Sequence, residues 1–104
     1  MILVNTDFIT GKKLETISAV KGSTIRAKHI GRDIMSGFKN LVGGELKSYV
    51  DMINEARAIA TKRMVDEAED LGADAIINIR YSTSNVMQGA AEILVYGTAV
   101  KFAE

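Results

Sequence analysis

The chain has 104 residues, 47% of them hydrophobic, with 13 basic and 13 acidic side chains and a formal charge of zero. That length and apolar content fit one domain, residues 1–104, with a core of its own, and argue against disorder. With no cysteine there is neither a disulfide framework nor a thiolate metal site, and zero net charge gives no electrostatic reason to expect a nucleic-acid partner.

The start, "MILVNTDFITGKKLETISAV", lacks the basic cluster and apolar run of a signal peptide, and no apolar run is long enough to span a membrane. The expectation is a soluble, cytoplasmic protein. "ILVNTDFI" predicts a short edge strand. "LETISAVKGSTIRAK" is rich in β-branched residues, and Gly22 within it predicts a bulge or a turn between two short strands. Ile30, Ile34, Phe38, Leu41 and Val42 recur at helical spacing and predict a short helix that Gly43 and Gly44 end.

From Glu45 to Leu71 the apolar positions Leu46, Tyr49, Val50, Ile53, Ala56, Ala60, Met64, Ala68 and Leu71 keep a 3.6-residue period. Gly72 follows as the natural stop. Such a helix would be ~40 Å long, too long for a compact lone domain of this size, so a neighbouring subunit is expected to cover its ends. Beyond it, "DAIINIRYSTS" alternates, with Ala75, Ile77, Ile79 and Tyr81 assigned to one face and Asn78, Arg80 and Ser82 to the other. "AAEILVYGTAVKF" is apolar on both faces: Ile93, Val95 and Ala99 against Leu94, Tyr96, Val100 and Phe102. The second face is expected to meet another subunit. The class is α+β.

Several residues are candidates for function. Arg57 falls near the middle of the apolar stripe on a helical wheel. A buried guanidinium needs a partner, and the pattern predicts a carboxylate from Asp33, Glu45 or Asp74, in the same chain or the next. Gly43-Gly44-Glu45 can form a tight corner with exposed backbone N–H groups, where Glu45 already supplies the negative charge that a helix start favours. The lysine and hydroxyl residue of a phosphate loop do not follow. His29 is the single histidine, beside Arg26, Lys28 and Arg32, with no cysteine to pair with. Asp66, Glu67, Glu69, Asp70 and Asp74 gather at the helix end, without calcium-loop spacing. From Lys12 to Lys47 the basic residues are Lys12, Lys13, Lys21, Arg26, Lys28, Arg32, Lys39 and Lys47, against Glu15, Asp33 and Glu45. This segregation predicts that the basic region of one subunit faces the acidic helix end of the next in a head-to-tail ring.

The segments "AVKGSTI", "GRD", "NLVGGELKSY", "EARAIA", "DLGADAIINIRY" and "YGTAVK", in this order, resemble the YbjQ-like family of small proteins described as heavy-metal-binding. The likeness covers nearly the whole chain. It implies a dodecin-like α+β fold, an antiparallel sheet against one long helix, and a homopentameric ring. The family pattern points to Gly22, Arg32, Asp33, Gly43, Gly44, Glu45, Tyr49, Arg57, Gly72, Asp74 and Gly97. A metal ion is the implied ligand, yet the soft donors here are His29 and five methionines only.

Three readings result. One is a homo-oligomeric module that binds a metal or small ligand at subunit boundaries through Arg32, Asp33, Gly43, Gly44, Glu45, Tyr49, Arg57 and Asp74, with His29 as the metal candidate. Another is an enzyme acting on a small anionic substrate through the Arg/Asp/Glu/Tyr cluster. The third is a structural or interaction protein whose polar cluster locks the ring.

Overall fold

The computed structural model describes residues 1–27, 44–87 and 90–103. The expected short helix, together with His29, Arg32, Asp33 and Gly43, lies outside the described residues, as does the side chain of Glu45.

The elements are β1 (Ile2–Leu3), β2 (Lys13–Ala27), α1 (Gly44–Asp70), β3 (Ala75–Met87) and β4 (Ala90–Ala103). They form one four-stranded sheet in the order β1-β3-β4-β2. β4 runs antiparallel to both β2 and β3. β1 lies parallel to β3, with Ile2 opposite Ala75, so the sheet is mixed and not the purely antiparallel one expected. The reason lies in the connections. A hairpin reverses direction, whereas the crossover through the long helix returns the chain to the start of β3 beside β1.

The helix matches its predicted span. Ala56, Ala60, Met64 and Ala68 are completely buried, with Tyr49 5% exposed. Val50 and Leu71, assigned to the same stripe, are about half exposed. The buried positions follow four-residue steps, and each step rotates the contact line by about 40°. The stripe therefore winds round the helix, as it must to follow a twisted sheet.

The C-terminus of α1 closes as a Schellman motif. Ala73 N–H donates to Ala68 O (3.0 Å) and Gly72 N–H to Glu69 O (2.9 Å), with Gly72 at φ +76°. No basic residue sits in the last turn, so Glu69 and Asp70 stand against the helix dipole without local compensation.

Gly22 does not break β2, which is one continuous strand. The irregularity falls between Thr16 and Ser18 instead. Gly22 is needed because α1 crosses directly above it. A Cβ there would strike the Ala60 carbonyl oxygen and stand 2.5 Å from Met64 N and 3.0 Å from Arg63 Cβ.

A second irregularity divides β3. Ile77 pairs with Thr98 but Arg80 with Tyr96, so Asn78 and Ile79 together oppose Gly97. Asn78 adopts φ +55°, the left-handed region that asparagine tolerates better than β-branched residues do. The extra residue reverses the alternation. Ile76 and Ile79 join the helix-side core with Val20, Ile93, Val95 and Ala99. Ala75 and Ile77 turn to the opposite face, with Val100. The expected placement of Ala75, Ile77, Ile79 and Tyr81 on one face is thereby corrected.

On that opposite face Val4, Ile9, Leu14 and Phe102 cover Ala75, Ile77 and Val100. The chain itself therefore supplies part of the cover that was expected from another subunit. Further along the same face Tyr96 stays 45% exposed.

Candidate binding site

Of the predicted polar cluster, Gly44, Tyr49, Arg57 and Asp74 are among the described residues, and Arg57 and Asp74 do not pair with each other. Arg57 is exposed, not buried, and its Nη1 donates to Asn54 Oδ1 at 3.1 Å. A wheel with one fixed phase put it in the stripe. The winding contact leaves it on the flank, roughly 100° from Ala56 and 60° from Ala60. Asp74 is not its partner. The Asp74 carboxylate accepts Phe102 N–H at 2.8 Å and so ties the entry of β3 to the end of β4. Tyr49 is buried on the helix face, and Gly44 opens the helix. Arg26 reaches from β2 to the helix, with its Nη2 3.3 Å from Glu55 Oε1.

The structure brings together a different group on the Arg57 flank. Thr61 Oγ1 donates to the Arg57 carbonyl at 2.7 Å, and Tyr81 Oη lies 2.8 Å from the same Thr61 oxygen. A threonine hydroxyl has one proton, and here the Arg57 carbonyl takes it. Tyr81 must therefore donate to Thr61, which leaves the phenolic lone pairs facing outward as acceptors. The Asn78 bulge makes this contact possible, because it sets Tyr81 on the helix side of β3 beside Ile79. Sequence periodicity carries no signal for that pairing.

Tyr81 also lines an open cleft of about 260 Å³ with Leu3, Val4, Asn5 and Ile79. Its walls are apolar apart from Asn5 and the Tyr81 hydroxyl. Arg80 ties the N-terminal segment to β3, its Nη1 donating to Asn5 O (3.2 Å) and Ile79 O (3.1 Å). The helix flank thus carries a guanidinium with spare donors at Arg57, and the cleft, separately, a phenolic acceptor at Tyr81 and an apolar trough. Each can contact a ligand. Among the described residues neither holds a paired nucleophile and base.

Among the described residues, no donor set for a soft metal is formed. The chain has no cysteine and one histidine. Of the described methionines, Met64 is fully buried in the core, while Met1 and Met87 are 47% and 68% exposed at separate places. Among the described residues, no three His, Cys, Asp or Glu side chains come together as a metal-binding group.

Residues 1–103 match a protein family described as "Putative heavy-metal-binding". The chain is 74% identical over 102 residues to a UPF0145 protein of Alkaliphilus metalliredigens, covering 98% of this chain and 99% of that one. It is 72% identical over 101 residues to a UPF0145 protein of Clostridium novyi, covering 97% and 98%. A crystal structure of a protein of unknown function from Pediococcus pentosaceus, assigned to the DUF74 family, superposes with a TM-score of 0.70 over 99% of this chain and 98% of that one. At 16% identity it supports the fold alone. The chain belongs to the YbjQ-like family, whose members include the UPF0145 proteins.

Proposed function

We propose that the protein is a self-associating binding module, a head-to-tail ring of dodecin-like subunits, with five copies as the family resemblance implies. The ring works in the cytoplasm and holds a small ligand where copies meet. The observation that carries this reading is an elongated sheet with uncovered apolar side chains. The radius of gyration is 16.9 Å, against roughly 13 Å for a compact domain of about 100 residues. Phe8, Ile25 and Met87 are each about 60% exposed or more. Apolar surface left in this way on a small domain marks a contact with another macromolecule. Among the described residues no helix is long and apolar enough to cross a membrane, and a second copy is the simplest cover.

The ligand side of the proposal rests on the Arg57 flank. A guanidinium carries five N–H donors, and Asn54 takes one of them. An anionic group, from a small molecule or from a carboxylate of the next copy, suits the rest. The heavy-metal description of the family finds no matching donor set among the described residues. A metal is therefore not the ligand proposed.

Native mass spectrometry of untagged protein, with elemental analysis of the same sample, tests both halves. The expected result is a single oligomer, a pentamer, with less than one metal ion per chain. A bare monomer at micromolar concentration would remove the ring. One tightly held transition metal per chain would overturn the ligand assignment.

A further inference from the structure

The cleft beside Tyr81 has a chemistry different from that of the Arg57 flank. Leu3, Val4, Asn5, Ile79 and Tyr81 line its 260 Å³, and none of the five is Asp, Glu, Lys, Arg or His. An ion entering it would give up water without meeting an opposite charge in the lining, which is costly. The Arg80 charge stands outside the lining, with Nη1 turned to the carbonyls of Asn5 and Ile79. The volume lies below the roughly 300–1,000 Å³ of a site for a drug-sized molecule, so a single ring is what it admits.

The polar groups narrow the choice further. Tyr81 Oη gives its one proton to Thr61, because the Thr61 proton is taken by the Arg57 carbonyl. Tyr81 therefore offers the cleft an acceptor only. The Asn78 bulge is what sets Tyr81 on the same side of β3 as Ile79. Asn5 is exposed, and its side-chain amide has no hydrogen-bond partner among the described residues. That amide adds one acceptor oxygen and two N–H donors. The rest of the wall is apolar and uncovered, with Leu3 40% and Tyr81 52% exposed. A flat ring against these side chains buries surface on both partners.

We propose that this cleft binds one uncharged aromatic primary carboxamide. A carboxamide carries one carbonyl and two N–H groups in the plane of its ring. The carbonyl accepts from Asn5 Nδ2, and the N–H groups serve the two acceptors, Asn5 Oδ1 and Tyr81 Oη. The ring takes the apolar contact with Leu3 and Ile79. A carboxylate in place of the amide meets an acceptor-only phenol, and an ammonium group meets no carboxylate. The site goes beyond the anion reading of the Arg57 flank and depends neither on it nor on the ring.

The test titrates nicotinamide into the untagged protein, in whatever assembly it adopts, followed by saturation-transfer NMR. Nicotinate, an anion, and methyl nicotinate, which has no N–H, are the comparison ligands. Nicotinamide is expected to bind with a Kd on the order of 1 mM, in keeping with the contact one ring can make. Nicotinate and methyl nicotinate should bind about tenfold more weakly, the effect of one lost hydrogen bond. Tyr81→Phe and Asn5→Ala should each weaken nicotinamide by about five- to tenfold. Asn5→Ala keeps the test sound if Tyr81→Phe loosens its contact with Thr61, since the Asn5 side chain holds nothing else in place. Leu3→Trp, which fills the cleft, should abolish binding, and Arg57→Met should leave it unchanged. Nicotinate or methyl nicotinate bound as tightly as nicotinamide would overturn the carboxamide assignment. Equal affinity in Asn5→Ala and Leu3→Trp would place the ligand elsewhere and overturn the site. No saturable binding of nicotinamide would also overturn it, while a pentamer in the same sample would leave the ring standing. Nicotinamide bound by a monomer, with the expected losses in the variants, would uphold the cleft and remove the ring.

Discussion

Replacing Gly22 with alanine adds one methyl group to the tightest contact in the fold. Its Cβ would strike the Ala60 carbonyl oxygen and stand 2.5 Å from Met64 N. Both are backbone atoms of α1, so no side-chain rotation relieves the clash. The helix must lift from the sheet over Ala56, Ala60 and Met64, all completely buried. Overpacking of this kind costs about 1–3 kcal/mol, and a backbone obstacle belongs at the upper end. Alanine also narrows the unfolded ensemble, which returns about 0.4–1 kcal/mol. The clash wins, with a net loss of about 2 kcal/mol. In a domain of this size that lowers Tm by about 8–16 °C. Urea denaturation of Gly22→Ala beside wild type measures it, with Gly11→Ala as the control. A methyl group on Gly11 would meet nothing within 4 Å and has only a positive φ to satisfy, so its cost should be about 1 kcal/mol. A Gly22→Ala protein within 0.5 kcal/mol of wild type, on the order of the usual surface tolerance, would refute the close crossing of helix and strand.

Met64 is 0% exposed, so Met64→Ala should cost about 2–5 kcal/mol and Met64→Leu less than about 1.5, both read from denaturation midpoints. Asn78→Val should lose about 1–2 kcal/mol because a β-branched residue resists φ +55°. Asn78→Gly should hold its stability, and equal losses for the two would remove the bulge argument. Arg57→Met should leave the unfolding free energy of the isolated chain within about 0.5 kcal/mol, since the guanidinium is exposed and bonded to Asn54. A drop of several kcal/mol in a monomeric form would restore the buried ion pair. Tyr81→Phe should cost about 0.5–1.5 kcal/mol through loss of its bond to Thr61. No change at all, measured by thermal melting, would mean that the hydroxyl pair is not formed in solution.

The helix was readable because its apolar period and its Gly72 stop are local, and the Schellman bonds close where the glycine predicted. The two faces of β4 were readable for the same reason. Ile93, Val95 and Ala99 do face the helix, and Val100 and Phe102 do face away. Arg57 was misplaced because a wheel averages over a stripe that in fact winds. Tyr81 was misassigned because one residue in the left-handed region, Asn78, reverses a strand's alternation without disturbing its composition. Of the predicted site, Arg32, Asp33, Gly43 and the side chain of Glu45 lie outside the described residues. Asp74 proved to be a backbone anchor for Phe102.

The sequence by itself determined the types of the long helix and the last two strands, the helix limits and the family, since each depends on neighbours two to four positions apart or on the order of short motifs. Only the tertiary structure decided which small residue lies under the helix, which hydroxyl meets Tyr81 and which strands stand at the edges of the sheet. Thr61 and Tyr81 are 20 positions apart, and their meeting depends on sheet twist and on one bulge. Such contacts arise from the packing of whole elements, and no local period encodes them.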